Sequence, residues 1–263
     1  MSEPRGQPNA APRAAPSTAP SAAPSATPSA APRAVPSGPP SVRMRWDRLA
    51  FLHWRVDPAR VRPLVPAPLE LDLFDGSAWV GLVPFAMQHC RFRGLPALGL
   101  LTDFWECNVR TYVRHRDQIG VWFMSLDAAS WLPVLGGRTL WGLNYRHARF
   151  TVQTSGARTD YALRRRRGPG ATHIVWETHG PERTAQPGTL EHFLVERYAL
   201  FTHHRGRVSR SPVWHQPWQL TDARLLKLED SLLEAQGLPG VAARRPDIVL
   251  ASPGVDALGW RAR

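Results

Sequence analysis

Between Leu71 and Glu177 the chain passes through one short extended run after another, with no helical stripe between them. Trp79, Gly81, Val83 and Phe85 share one parity, and Val121, Phe123 and Leu126 enrich a second run. Phe150–Thr154 and His173–Thr178 are β-branched or aromatic, and the turn Gly168-Pro169-Gly170 separates the latter from Tyr161–Arg167. A doubly wound fold needs a helix after nearly every strand, so its absence over a hundred residues excludes that class. The pattern predicts a mainly β, β-rich α+β domain with a few peripheral helices. Asp57-Pro58 reads as a cap followed by proline in the first helical turn, and Pro66 ends that short helix. Thr189 is placed to cap a helix over 190–201, with Leu190, Phe193, Leu194, Arg197, Tyr198 and Phe201 as its stripe. Thr221 is placed to cap another over 222–236, with Leu225, Leu228, Leu232 and Leu233 on one face and Gly237 and Pro239 ending it.

The first 43 of the 263 residues cannot contribute to a core. Residues 10–40 are almost wholly Ala, Pro, Ser and Thr with occasional Arg, so residues 1–43 are expected to be a disordered, polyproline-biased tail dispensable for folding. Two readings of it stay open: an upstream start codon ahead of Met44, or a flexible tether. Residues 44–263 suit a single domain. The tail lacks the continuous apolar core of a signal peptide, and no stretch is apolar for long enough to span a membrane. Two cysteines, Cys90 and Cys107, give no disulfide framework, so a reducing cytoplasm is the default. The net charge of +12 invites a nucleic-acid reading, but all basic residues except Lys227 are arginine, a bias expected from codon composition. The dense run Arg164–Arg167 sits where a hairpin tip is expected, alternating between faces in solvent. No nucleic-acid or membrane partner is expected.

Gly137, Arg138, Gly142 and Ala148 lie in a segment that resembles the acetoacetate decarboxylase motif Gly-Arg-Glu-x-x-Gly-x-Pro-Lys-Lys-x-Ala. The first lysine of that motif forms the family's Schiff base, yet the two lysine places here hold Tyr145 and Arg146. Neither a phenol nor a guanidinium condenses with a ketone to an imine. Upstream, Trp54-Arg55-Val56-Asp57 and the run Val65-Pro66-Ala67-Pro68-Leu69-Glu70-Leu71 resemble the decarboxylase opening, which puts Arg55 on a pocket arginine. Phe104-Trp105-Glu106 resembles the family's Tyr-x-Glu and puts Glu106 on a pocket glutamate. A closer likeness over about 44–260 is to the YqjF-like family, a lysine-less relative of the decarboxylases. It rests on Phe51-Leu52-His53-Trp54, Gly81-Leu82-Val83-Pro84-Phe85, Glu106–Val113, Gly120–Asp127, Glu196-Arg197-Tyr198 and His215-Gln216-Pro217-Trp218. The resemblance implies the decarboxylase-like closed β-barrel with a ligand pocket inside it.

In the strand from Glu106 to Arg114, Cys107, Val109, Thr111 and Val113 make one face. Glu106, Asn108, Arg110, Tyr112 and Arg114 make the other. Such a polar row is an ordinary solvated face unless the resemblance holds, in which case it lines the cavity. A buried Glu106 then needs a partner, and Arg110 or Arg55 is the charge-complementary choice. Arg55 is either a pocket guanidinium for a carboxylate or a surface partner of Asp57 or Asp47. Tyr145 is either a packed aromatic or, with Glu106, a donor to a carbonyl or enolate oxygen, with Arg146 assisting electrostatically. Arg55, Glu106, Arg110 and Tyr145 are expected to converge in one cavity, with Asn108 beside them. His215 either closes that pocket or packs a helix. No metal-ligand spacing occurs, and neither metal nor cofactor is expected. The resulting expectation is a barrel pocket for a small anionic, oxo-acid-like ligand, worked by acid–base chemistry without an imine. A noncatalytic binding or sensing module, or a structural partner-binding protein, remain alternatives, and a homo-oligomer is possible.

Overall fold

A computed structural model describes residues 34–94, 103–130, 142–204 and 206–261. Residues 1–33 of the expected tail and Gly137-Arg138 of the decarboxylase-like motif lie outside the described residues. Twelve strands carry the fold: β1 (Val42–Val56), β2 (Glu70–Leu71), β3 (Ala78–Phe92), β4 (Phe104–His115), β5 (Gln118–Ala128), β6 (Tyr145–Ser155), β7 (Arg158–Arg165), β8 (Ala171–Arg183), β9 (Ala199–His204), β10 (Arg207–His215), β11 (Leu220–Asp230) and β12 (Ile248–Gly259). Among the described residues two short helices accompany them, α1 (Pro58–Val61) and α2 (Leu190–Val195), with one-turn 3-10 helices at Arg62–Leu64 and Glu234–Gln236. The mainly β class expected from the run pattern is the class observed.

The strands form one sheet in the order β10-β9-β5-β6-β7-β8-β11-β12-β1-β3-β4-β2, with further pairings β10–β12 and β5–β4. Those two pairings close the sheet twice. One circuit, β10-β9-β5-β4-β3-β1-β12, has seven strands; the other, β5-β6-β7-β8-β11-β12-β1-β3-β4, has nine. The barrel is therefore two lobes sharing the wall β5-β4-β3-β1-β12. Its seams are short: β5–β9 and β11–β12 hold two residue pairs each, β5–β6 and β10–β12 three each. Closure is accordingly uneven, and β5 meets both β6 and β9 in parallel.

Because the shared wall is covered on both sides, its strands are apolar on both parities. Leu52, Leu82 and Val109 join Tyr161, Ile174 and Trp176 in the cluster that fills the nine-strand lobe. Phe51, Val83 and Phe85 face the seven-strand lobe with Tyr112, Trp218 and Leu250. Burying Leu52, Leu82 and Val109 completely contributes about 1.5–3 kcal/mol each.

Both downstream helix expectations need correction. The stripe over 190–201 is helical only to Val195; Thr189 caps His192 N as expected, at 3.3 Å. The chain then leaves the helix because Arg197 is tied to Asp72, and Ala199–His204 pairs with β10. The segment over 222–236 is mostly strand β11, paired along β8. Its spacing misleads because of a bulge. The register slips between Leu225 and Lys227, leaving Leu226 exposed and turning Leu225 and Leu228, three apart, toward the same core. Gly237 does end the following 3-10 turn, in the left-handed conformation at φ 86°.

The ordered sheet also begins ahead of Met44. Ser41 N donates to Gly259 O at 2.7 Å, Trp260 Nε1 donates to Gly38 O at 3.0 Å, and Val42 pairs with both Gly259 and Phe92. Among the described residues no helix is long and apolar enough to cross a membrane.

Candidate functional site

Strand alternation sends Glu106, Asn108 and Arg110 of β4 into the seven-strand lobe, where they line a cavity of about 180 Å³. The rest of its wall is chiefly apolar and aromatic, including Phe85, Phe123, Trp218 and Trp260. Tyr145 enters from the start of β6, where the parallel pairing with Leu126 and the Asn144 side chain's hydrogen bond to Met124 O fix the backbone. The phenol donates to Glu106 Oε2 at 3.0 Å. From the other lobe, Tyr161 Oη donates to Glu106 O at 2.7 Å and anchors the same residue's backbone.

Glu106 is 2% exposed. Burial pushes its carboxyl up to about 8; the Tyr145 bond opposes that rise, and the nearby Asp127 adds to it. The side chain is thus a neutral acid at neutral pH, and burial holds Tyr145 protonated as well. The arginine partner expected for Glu106 is not what the fold provides: a phenol takes that place.

Arg110 serves a second pole. Its Nη2 donates to Leu194 O at 3.1 Å, and its guanidinium lies over the rings of Phe51 and Tyr112 at 5.6 and 5.7 Å. Leu194 O also accepts from Tyr112 Oη at 2.7 Å, and Tyr112 Oη in turn accepts from His53 Nε2 at 2.7 Å. Burial, with the Arg110 charge, holds His53 well below its usual range and hence neutral. Gly81 makes room for that ring, since a Cβ there would sit 2.6 Å from His53 Nε2. Among the described residues Arg110 forms no ion pair, and its buried Nε has no acceptor. The neighbouring Arg197 contrasts with it, being bound to Asp72 at 2.6 Å inside the protein. Asn108 and Ser211 also line the cavity, and among the described residues their Oδ1 and Oγ are buried without partners.

Two expected members fall elsewhere. Arg55 points outward, its side chain 50% exposed, 3.5 Å from Asp75 and stacked over Trp79. Neither Asp57 nor Asp47 is its partner, because Asp57 caps α1 through Ala59 N and Asp47 binds Arg45 and Arg48. Arg55 shares the parity of His53 but lies at the end of β1, past the part that the lobe covers, so its side chain reaches solvent. Arg146 follows Tyr145 on β6 and so takes the opposite face, away from the cavity wall. The arginine run is corrected too. Arg165 is buried, with Nε and Nη2 on Asp127 at 2.6 and 2.9 Å and Nη2 on Ser125 at 3.0 Å, while Arg164, Arg166 and Arg167 are exposed. Alternation was legible there, but burial of one face was not.

Residues of the Glu196–Tyr198 and His215–Trp218 motifs complete the site, and of the two readings of His215 the cavity lining matches the first. His215 and Trp218 line the cavity within an aromatic group in which Tyr198 stacks on His215 at 4.6 Å. Glu196 fixes this group by accepting from Tyr198 Oη at 2.5 Å and Trp218 N at 3.0 Å. The only signal for them was the pair of motifs Glu196-Arg197-Tyr198 and His215–Trp218. Cys90 lines the cavity too, but burial pushes its thiol up to about 12, which leaves no nucleophilic thiolate. Among the described residues no group of three His, Cys, Asp or Glu side chains is arranged to hold a metal ion.

Comparison with known proteins agrees with this architecture. The model of the DUF2071 family, described as uncharacterized conserved protein, matches residues 43–256. The protein YqjF of Bacillus subtilis (strain 168), described as uncharacterized, is 35% identical over 198 residues, covering 75% of this chain and 82% of its own. Acetoacetate decarboxylase from Legionella pneumophila superposes with a TM-score of 0.61 at 15% identity, over 90% of this chain and 92% of that one. The enduracididine biosynthesis enzyme MppR complexed with pyruvate gives 0.56 at 17% identity, over 86% and 89%.

Proposed function

This chain belongs to the DUF2071 family, and on that footing we propose that its seven-strand lobe binds a small oxo-acid-like anion and offers the neutral carboxyl of Glu106 to the ligand's carbonyl oxygen. One observation carries the reading: Glu106 is buried on the cavity wall, bonded to a phenol rather than a cation. A carboxylic acid held neutral donates a hydrogen bond where an ordinary glutamate would only repel an oxyanion. Tyr145, donating to the other carboxyl oxygen, orients it. Arg110, with no acidic partner among the described residues, supplies the complementary charge for a carboxylate. A dry apolar cavity of about 150 Å³ is enough for a benzene ring, so the volume here suits a small organic acid. That MppR, of similar fold, is complexed with pyruvate supports the ligand class.

The chemistry supported is acid-assisted enolisation without an imine: Glu106 gives its proton to the carbonyl oxygen, a water molecule takes the α-proton as the C–H bond breaks, and that proton returns to Glu106. The chain's one lysine, Lys227, sits on β11 paired with Glu229 at 3.1 Å and does not line the cavity. A noncatalytic binding role is the second reading, favoured by a wall that is chiefly apolar and offers no thiolate. Hydrogen–deuterium exchange beside the carbonyl of oxo acids, followed by NMR in D₂O, separates them. The expected result is exchange above the buffer rate that falls at least about a hundredfold in Glu106→Gln, the usual scale of a general acid. Binding without exchange would favour the second reading. Absence of both for any oxo acid would sink the proposal.

A further inference from the structure

The cavity's lining on β4 runs from Phe104 through Glu106 and Asn108 to Arg110. At a strand rise of about 3.4 Å per residue, the Cα atoms of Glu106 and Arg110 lie roughly 13 Å apart. Their side chains also keep different company. Glu106 meets Tyr145 and feels Asp127, whereas the charge of Arg110 acts on His53, Tyr112, Arg197 and His215. The guanidinium is held toward Leu194 O and the Phe51 and Tyr112 rings. Acid and cation therefore form two separated poles. Asn108 and Ser211, 4% and 2% exposed, line the same cavity, and among the described residues their Oδ1 and Oγ are buried without partners.

A compact 2-oxo acid carries its carboxylate and carbonyl on adjacent carbons, so it satisfies one pole and leaves the other bare. We infer that the ligand is an extended oxo acid, its carboxylate at Arg110 and its keto oxygen several carbons away at Glu106. This rests on the reading of Glu106 as a donor to the ligand. Both side chains leave the same face of β4 four residues apart, so a chain of several carbons between carboxylate and carbonyl is needed to meet both. The chiefly apolar lining of the cavity matches such a chain.

Calorimetric titration with pyruvate, levulinate, 6-oxoheptanoate and heptanoate tests the span. Binding is expected to tighten at least tenfold from pyruvate to 6-oxoheptanoate, and heptanoate, lacking the keto oxygen, to bind at least fivefold more weakly than its oxo counterpart. Arg110→Met should erase the preference for length, while the two acids compared on the unaltered protein keep the test independent of that variant's folding. Pyruvate binding as tightly as 6-oxoheptanoate would overturn the extended ligand and leave the role of Glu106 intact. A Glu106→Gln protein that binds every acid as the original does would overturn the role of Glu106 instead.

Discussion

Glu106 shows how much a single residue's meaning depends on what surrounds it. The carboxyl titrates at about 8 in the folded protein against an ordinary 4.5. A raised folded value means that the native state keeps a proton the unfolded chain releases. Stability from that proton is complete below about pH 4.5 and is lost as pH rises toward about 8, by up to roughly 1.4 kcal/mol per pH unit. Glu106→Gln keeps an acceptor for Tyr145 and removes the titration. Denaturant midpoints for the two proteins should diverge between about pH 5 and 8, the variant gaining, and run parallel above that. A constant difference across the window would mean an ordinary, ionised glutamate. Glu106 and Tyr145 were reachable from sequence through the family resemblance alone, because alternation said only that Glu106 and Asn108 share a face. Arg55 matched its motif equally well, yet its neighbour Asp75 and the ring of Trp79 hold it outside. A motif fixes a place in the chain and leaves the local company of the side chain open.

At the scale of elements, periodicity was a sound guide to strands and a poor one to the last two helices. A stripe with spacing of three and four is the mark of a helix, but one bulge at Leu226 gives Leu225 and Leu228 the same face in a strand. Nothing local announces that slip; it is imposed by pairing with β8. The end of β7 holds the complementary lesson. Arg165 crosses from β7 to Asp127 and Ser125 of β5, staying buried although it stands among exposed arginines. Arg165→Ala leaves the Asp127 carboxylate buried and uncompensated, for an expected loss of about 3–5 kcal/mol. Arg164→Ala and Arg166→Ala, both in solvent, should stay within about 0.5 kcal/mol. Chemical denaturation of the three variants checks this, and equal effects would mean that the pair does not hold β7 to β5. The doubly mutated Asp127→Ala, Arg165→Ala protein should lose less than the sum of its parts.

For the whole molecule, two lobes on one shared wall explain why so many strands are apolar on both faces. They also explain why the site sits where β4 is covered from each side. The edge of this arrangement includes Gly38 and Ser41, which bond to Trp260 and Gly259. A chain beginning at residue 34 should therefore match the full protein in melting temperature. One beginning at Met44 should melt several degrees lower, because it loses the four hydrogen bonds that tie Gly38 and Ser41 to Arg93, Gly259, Trp260 and Arg261, each contributing about 0.5–1.5 kcal/mol. Equal melting of both would show that this margin adds nothing. What the lobes enclose is best judged by ligand affinity against pH. For 6-oxoheptanoate, titrated by calorimetry from about pH 6.5 to 9.5, the protonated Glu106 requires affinity that is level to about 8 and then falls by up to tenfold per pH unit, while Glu106→Gln binds more weakly at low pH with no such fall. An affinity for the unaltered protein that stays level across the whole range would contradict a neutral Glu106 donating to the ligand.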